Sequence, residues 1–566
     1  MKRFLTSAAA IAAAAAIVAL ALPPRQLPLD GPPDGAVAGL IHIHTVRSDG
    51  RGSPNAIAEA AARAGLKFIV FTDHGDATRK PDPPAYRAGV LCLDGVEIST
   101  SGGHYVAIDM PASPYPLGGE PRDVVEDVRR LGGFGIVAHP DSPKAELRWR
   151  DWTVPFDAVE TINPDSSWRR WASGPDWRMR LRLAAAVIGY PFRSPETMAN
   201  LLEPGIALPP AAAVGQRRYV RLAGADAHAK LSLVSADPGD NRFSLPFPGY
   251  ESTFRALSIR ARVDRPLSGN AAGDAAVLVR AIRAGHLYTA VDGLATPPSF
   301  EFSATNNRGT VHQGDELGVG GPVTLRVRAN TPAEFETQVT RNDEPFGPAR
   351  HEHEFTVTAP EGPASYAVVV STTRSGRTLP WLVSNAIAVR GAEAAPARHR
   401  PAATSNVAIL SADAKGWSVE HDADSLAAFD PATAVGGVAV RLRYALGLGA
   451  REGKYVALVR RLDNDGNPAP NDRLTFSIRA EHPMRISVQL RADGDAYFDR
   501  WQRTVYVDTF DQERTVYFDD LTPVGATHTP LPPLRQIHSI LWVIDATNTK
   551  LGSSGRVWVR DPRLQK

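Results

Sequence analysis

Five short motifs, "IHIHTVRSDG", "FTDHG", "GVEISTSGGH", "VAHP" and "GADAH", constrain this chain more than any other feature. All lie within the first 230 residues. His42 and His44 are two apart on a strand pattern, and His74, His139 and the Asp226/His228 pair each follow an apolar run that reads as a buried strand. In parallel α/β barrels functional residues gather at the carboxyl ends of strands, where several loops converge on one mouth. One site built from five segments is therefore expected.

The motifs hold nine residues of a single chemical kind: His42, His44, Asp49, His74, Glu97, His104, His139, Asp226 and His228. Imidazole nitrogen and carboxylate oxygen are ligands for manganese, zinc and iron alike. A lone histidine beside a strand is more often packed than ligating. Here coincidence counts against that, because all six histidines between residues 42 and 228 fall inside the motifs. Nine ligands exceed one coordination sphere and imply two to three divalent transition metals, Mn, Zn or Fe, sharing bridging ligands.

Charge bookkeeping then suggests the substrate. Three divalent cations bring six positive charges; Asp49, Glu97 and Asp226 remove three, and a bridging hydroxide removes another. The balance matches a phosphate ester dianion. Lys144 and Arg148, just after "VAHP", and Arg47 in the first motif are candidate phosphate-binding residues. Asp73 reads as support for its neighbour His74.

Alternating apolar runs and helical patterns extend over residues 32–300. "SPNAIAEAAARAG" carries its helix boundaries in Ser53, Pro54 and Gly65. The next run, "LKFIVFTDH", lacks polar alternation, as expected of a parallel strand covered on both faces. These patterns predict an α/β domain. Residues 301–392 change to short alternating strands such as "PVTLRVRA" and predict an immunoglobulin-like β-sandwich. Residues 393–405 read as a linker, and 406–566 as a second all-β domain of jelly-roll or galactose-binding-like type.

Lys2 and Arg3, an apolar run from Ala8 to Leu22 and the small-x-small triplet Ala19-Leu20-Ala21 make residues 1–22 a signal-peptide pattern. A periplasmic or extracellular location is expected, with an uncleaved N-terminal anchor as the alternative. The formal net charge of +2 offers no basic surface for a nucleic-acid polymer. Cys92, the single cysteine, sits in "VLCL" and reads as a small buried hydrophobe.

The first motif, "TDHG", "AHP" and "GADAH" resemble the four motifs of the polymerase and histidinol phosphatase (PHP) superfamily of metal-dependent phosphoesterases. The resemblance covers about residues 36–295 and implies a distorted (βα)7 barrel. It implies a first metal on His42, His44, Glu97 and Asp226. Glu97 would bridge to a second held also by His104 and His139, and Asp49, His74 and His228 would hold a third. The expected protein is an exported phosphoesterase that hydrolyses a phosphate mono- or diester by metal-activated hydroxide, with Asp49, Asp226 and His228 as catalytic residues. Two alternatives stand beside it: an envelope polysaccharide-binding protein whose metal domain is structural, contacting carbohydrate through the last domain, or a metal hydrolase acting on a non-phosphate ester or amide.

Overall fold

The computed structural model describes residues 18, 20–30, 34–203, 205–211, 217–232, 244–391, 400–409, 415–434, 437–462, 468–492 and 499–566. Most of the signal-peptide pattern and of the linker lies outside these residues. Among the described residues no helix is long and apolar enough to cross a membrane. The chain divides into two compact units, Met1–Pro111 with Glu120–Ala395, and Ala112–Gly119 with Pro396–Lys566.

Seven strands of the first unit close on themselves in chain order: β1 (Val37–Ile43), β2 (Phe68–Phe71), β3 (Val90–Thr100), β4 (Gly103–Ile108), β5 (Phe134–Val137), β6 (Ala158–Ile162) and β7 (Val220–Ala227), with β7 returning to β1. This is not the expected α/β (βα)7 barrel of PHP type. Helices connect neighbouring barrel strands at only three steps: α1 (Pro54–Arg63) after β1, α2 (Pro121–Arg130) after β4, and α3 (Pro164–Ser173), α4 (Trp177–Gly189) and α5 (Ser194–Asn200) after β6. β3 turns directly into β4 as a hairpin, so β4 runs antiparallel to both β3 and β5, and strand outweighs helix among the described residues. A hairpin needs no crossover helix, whereas parallel neighbours do. The turn is tight because Gly103, at φ 116°, lies against the Arg148 backbone, where a Cβ would come within 2.7 Å of the carbonyl oxygen.

Where helices do form, their ends follow local sequence. Ser53 Oγ accepts from Ala56 N at 3.3 Å to cap α1, Pro54 occupies its first turn, and Gly65 follows at φ 81°. Ile57, Ala58, Ala60 and Ala61 form its buried face, against a core that includes Leu40, Phe68, Ile69 and Leu91.

The barrel sheet does not end with the barrel. β8 (Ser258–Ala261) pairs antiparallel to β1, β9 (Leu287–Ala290) pairs with β8, and β9 pairs with Arg377–Ser384 of the following β-sandwich. That sandwich shows the expected alternation: Val323, Leu325 and Val327 are buried and Thr324, Arg326 and Arg328 exposed. It shares one continuous core with the barrel.

The second unit is a jelly-roll-like sandwich of two antiparallel sheets with six strands each among the described residues. Trp417, Phe476, Ile486, Val488, Leu490, Trp501 and Trp542 fill the space between them. Trp501 is fully buried and donates its indole N–H to Thr529 O at 3.0 Å, so it packs the core.

Candidate metal centre

All nine predicted ligands converge at one mouth of the barrel. His42 and His44 come from the end of β1, His74 from just after β2, His139 from after β5, and Asp226 and His228 from the end of β7. Glu97 lies within β3 and His104 near the start of β4. Because β4 is antiparallel, its beginning, not its end, reaches this mouth.

Glu97 is the hub. Its side chain is 1 % exposed, and Oε2 lies 3.2 Å from His42 Nε2, His44 Nε2 and His74 Nδ1. Oε1 lies 2.8 Å from His104 Nδ1 and 2.9 Å from His139 Nε2. Asp226 Oδ1 stands 3.5 Å from the Nε2 atoms of both His42 and His44. On the outer side, Asp49 Oδ2 is 3.2 Å from His228 Nε2 and 3.7 Å from His74 Nε2, and the rings of His44 and His228 stack at 4.0 Å.

Four sets of donor atoms come close enough to share an ion: His42, His44 and Asp226; His42, Glu97 and His139; His74, Glu97 and His104; and His44, Asp49, His74 and His228. The division implied by resemblance differs in detail. His44 also sits with the outer set, His74 joins both outer and inner sets, and His139 groups with His42.

The chemistry of the donors fits metals. His42 Nε2, His44 Nε2, Glu97 Oε2 and His139 Nδ1 are buried without hydrogen-bond partners. Buried polar atoms are normally satisfied, and several orphans aimed at a common space suit cations. Burial disfavours ionised Glu97, yet His42, His74 and His104 outweigh it and hold the carboxyl well below the usual range. Burial also opposes the charge on His44, but Asp226 and Glu97 push its imidazole up to about 10. For His74 burial prevails and lowers the imidazole to about 4.

The backbone is bent to aim these groups. His42, His139 and Asp226 have φ values of 63°, 28° and 46°, uncommon for non-glycine residues, and the β1 pairings with β2 and β7 shift register at this point. Strained conformations persist where surroundings over-determine them, typically at functional sites.

Glu160, on β6, escaped the sequence reading. It is fully buried; His42 Nδ1 donates to its Oε1 at 2.6 Å, while His139 N and Asn163 Nδ2 donate to Oε2 at 2.8 and 3.0 Å. That fixes the His42 tautomer with Nε2 turned toward the cluster. A carboxylate inside the strand-like run "AVETI" was the available signal. Gly224 makes room for it, since a Cβ there would lie 1.8 Å from Glu160 Oε1. Asp73 accepts from Thr45 N, Thr45 Oγ1 and Ser48 Oγ at 2.7–2.8 Å, clamping the loop that carries Asp49. Tyr250 Oη donates to His44 O at 2.9 Å and accepts from Gly52 N at 3.1 Å, a long-range tie with no sequence signature.

The predicted phosphate-binding residues fare differently from the ligands. Arg47 is committed to Asp82 and Asp94, and Arg148 Nε donates to Ser142 O at 2.8 Å. No side-chain contact ties Lys144 to the cluster. Arg169 on α3, paired with Asp165 and lying over the Trp168 ring at 4.8 Å, is instead a cation that Asp226 and Asp49 influence across the mouth.

No family model matches the chain. A stretch of 140 residues is 29% identical to an uncharacterized protein of Methanocaldococcus jannaschii, covering 22% of this chain and 80% of that protein. Among solved structures the chain is similar to a family 11 carbohydrate-binding module of Clostridium thermocellum in complex with a β-1,3-1,4-mixed-linked tetrasaccharide, at 14% identity and TM-score 0.24, covering 29% of this chain and 96% of the module. A family 30 carbohydrate-binding module of a cellulosomal cellulase from the same organism shows 13% identity and TM-score 0.22, covering 28% and 96%. Scores this low assign no function.

Proposed function

We propose that the first unit is a metal-dependent hydrolase acting on a phosphate mono- or diester, carried by an exported chain. The supporting observation is the convergence of five imidazoles on Glu97 with four buried donor atoms left unpartnered. The motif resemblance to PHP phosphoesterases agrees with this chemistry at the level of motifs alone. Clustered divalent metals supply a nucleophile at neutral pH and charge to balance a phosphoryl group.

The chain's own residues would divide the remaining work. His42, His44, Glu97, His104, His139 and Asp226 form the buried floor. Asp49 and His228, with side chains 14% and 13% exposed and 3.2 Å apart, would hold the outer ion, and when it is not bound they stand where a proton can pass between His228 Nε2 and a leaving group. Arg169, paired with Asp165 and sensing the charges of Asp226 and Asp49, is the cation we assign to orienting an anionic substrate. The test is turnover of p-nitrophenyl phosphate and bis-p-nitrophenyl phosphate by Mn- or Zn-loaded full-length protein, beside a carboxyl ester. Phosphate-ester turnover lost in Asp226→Ala is expected; turnover of the carboxyl ester alone would refute the phosphoesterase reading.

A second reading concerns the jelly-roll unit, as a carbohydrate-contacting module of an envelope polysaccharide-binding protein. It is favoured by the jelly-roll-like pair of antiparallel sheets; the polar row Arg485, Ser487, Gln489 and Thr504 is buried and is not the surface offered to a ligand. Retention of the full chain on insoluble mixed-linked β-glucan, competed by soluble oligosaccharide, would support it; passage without retardation would count against it.

A further inference from the structure

A second polar constellation lies at the opposite end of the barrel. Arg217, Arg218 and Arg221 run into the start of β7, five residues or more before Asp226. A strand rises ~3.3 Å per residue, so Arg221 is about 17 Å from the metal centre's carboxylate. Together with Arg390, Asn342 and Asp343 of the β-sandwich, these arginines line a cavity of about 250 Å³. Four guanidinium groups thus share the cavity with one carboxylate, Asp343, and Arg390 pairs besides with Glu316 at 3.6 Å.

Their partners do not balance them. Arg221, 4 % exposed, pairs with Asp343 at 2.5 Å, but its Nε has no partner. Arg217 reaches only Trp152 O at 3.4 Å and the face of Phe156 at 4.7 Å, and its Nε is likewise buried and unpartnered. Arg218 donates to Ala284 O. Neither Arg217 nor Arg218 has an acidic partner among the described residues, and the sequence just before them, Ala212 to Gln216, contains no acid. Burial and the neighbouring Arg129 lower the guanidinium of Arg217 from its ordinary value. Arg129 and Arg283 line a cleft that shares Arg217 and Arg218 with the cavity, but they are paired with Asp157 and Asp109, so the uncompensated charge rests with Arg217 and Arg218.

Clustered, desolvated cations are costly unless an anion accompanies them, and arginine forks match oxyanions bidentately. Cavities at domain interfaces are frequent ligand sites, and about 250 Å³ falls below the ~300 Å³ lower bound for drug-sized ligands. We propose that this cavity binds a small oxyanion of at least two negative charges, away from the metals, and thereby ties the sandwich to the barrel. The tie has a frame already: Asn385 accepts from Arg221 N at 2.7 Å and donates to Arg221 O at 2.8 Å.

The test uses full-length protein stripped of metal by a chelator and dialysed into dilute chloride buffer, titrated calorimetrically with inorganic pyrophosphate, with citrate and with neutral maltose. Expected is saturable one-to-one binding of pyrophosphate or citrate and none of maltose; both anions binding would mean the site reads charge, one alone that it reads oxyanion geometry. Affinity should fall at least tenfold in an Arg217→Ser/Arg218→Ser variant and be unchanged in Asp226→Ala, which breaks the metal centre instead. Arg217→Lys keeps the charge, loses the fork and provides a milder variant, with an expected loss of about threefold or more. Failure of both anions to bind, or binding undiminished in both arginine variants, would overturn the proposal.

Discussion

Two buried polar constellations in this protein, one in each unit, are built on opposite terms. In the jelly-roll unit Arg485 Nη1 donates to Thr504 Oγ1 at 2.8 Å, Ser487 Oγ to Gln502 Oε1 at 2.8 Å, and Gln489 Nε2 to Ser487 Oγ at 3.1 Å. Regular antiparallel pairing places these groups, and they largely satisfy one another. At the barrel mouth, imidazoles and carboxylates crowd within reach while key atoms stay unpartnered on bent backbone. The difference teaches what each is for. A network that closes on itself stabilises a sheet, whereas one that leaves aligned donors open is arranged for something else to complete it.

The comparison breaks most visibly at Glu97. Glu97→Ala should remove the carboxylate common to two of the four donor sets and lose most bound metal, whereas Asp49→Ala should lose the outer ion alone. Elemental analysis after metal loading and dialysis distinguishes them; equal losses would refute the hub assignment. Because a ligand that binds only the folded state stabilises it by mass action, the Glu97 variant should also lose ~3–4 kcal/mol of metal-dependent stability at ion concentrations of 100–1,000 Kd.

Gly224→Ala comes next. Its Cβ would strike Glu160, which is locked between His42 and His139, so a loss of about 3 kcal/mol in denaturant unfolding of the metal-free protein is expected. Stability within ~0.5 kcal/mol of wild type would mean Glu160 can move away, and that its hold on His42 is weak.

On the jelly-roll side the expected effects are smaller and indifferent to metal. Ser487→Ala should cost about 1 kcal/mol, since it removes one link from a chain of hydrogen bonds, and the loss should be equal with and without metal. A metal-dependent loss would erase the distinction drawn between the two networks. Smallest of all, Arg47→Ala should change stability by less than ~1 kcal/mol, as expected of a partly exposed ion pair. It should leave phosphate-ester KM unchanged, because the guanidinium is held by Asp82 and Asp94; a large rise in KM would restore Arg47 as a substrate contact.

The sequence made most ligands legible for a physical reason: His74, His139, Asp226 and His228 are polar residues at or just past the end of an apolar run, where their type has no packing role. It also marked α1, whose cap, proline and glycine are local signals. Strand direction was hidden. Buried runs such as "FIVF" and "YVAI" look alike whichever way they point, so nothing in "GVEISTSGGHYVAI" distinguished a crossover from the hairpin of β3 and β4. Glu160 and Tyr250 were missed because their partners are 118 and 206 residues away in the chain. The arginines at the barrel's far end carry no motif at all.

The ladder from β9 to Arg377–Ser384 has a consequence for how this protein can be cut. A chain ending near residue 300 would keep every candidate metal ligand, yet it would strip β9 of its neighbour and present a row of free N–H and C=O groups along Leu287–Ala290. Bare strand edges recruit other chains. The sandwich therefore acts as a selvedge, the woven border that keeps a cloth from fraying, and a minimal catalytic fragment should extend to about residue 391 if it is to stay monomeric.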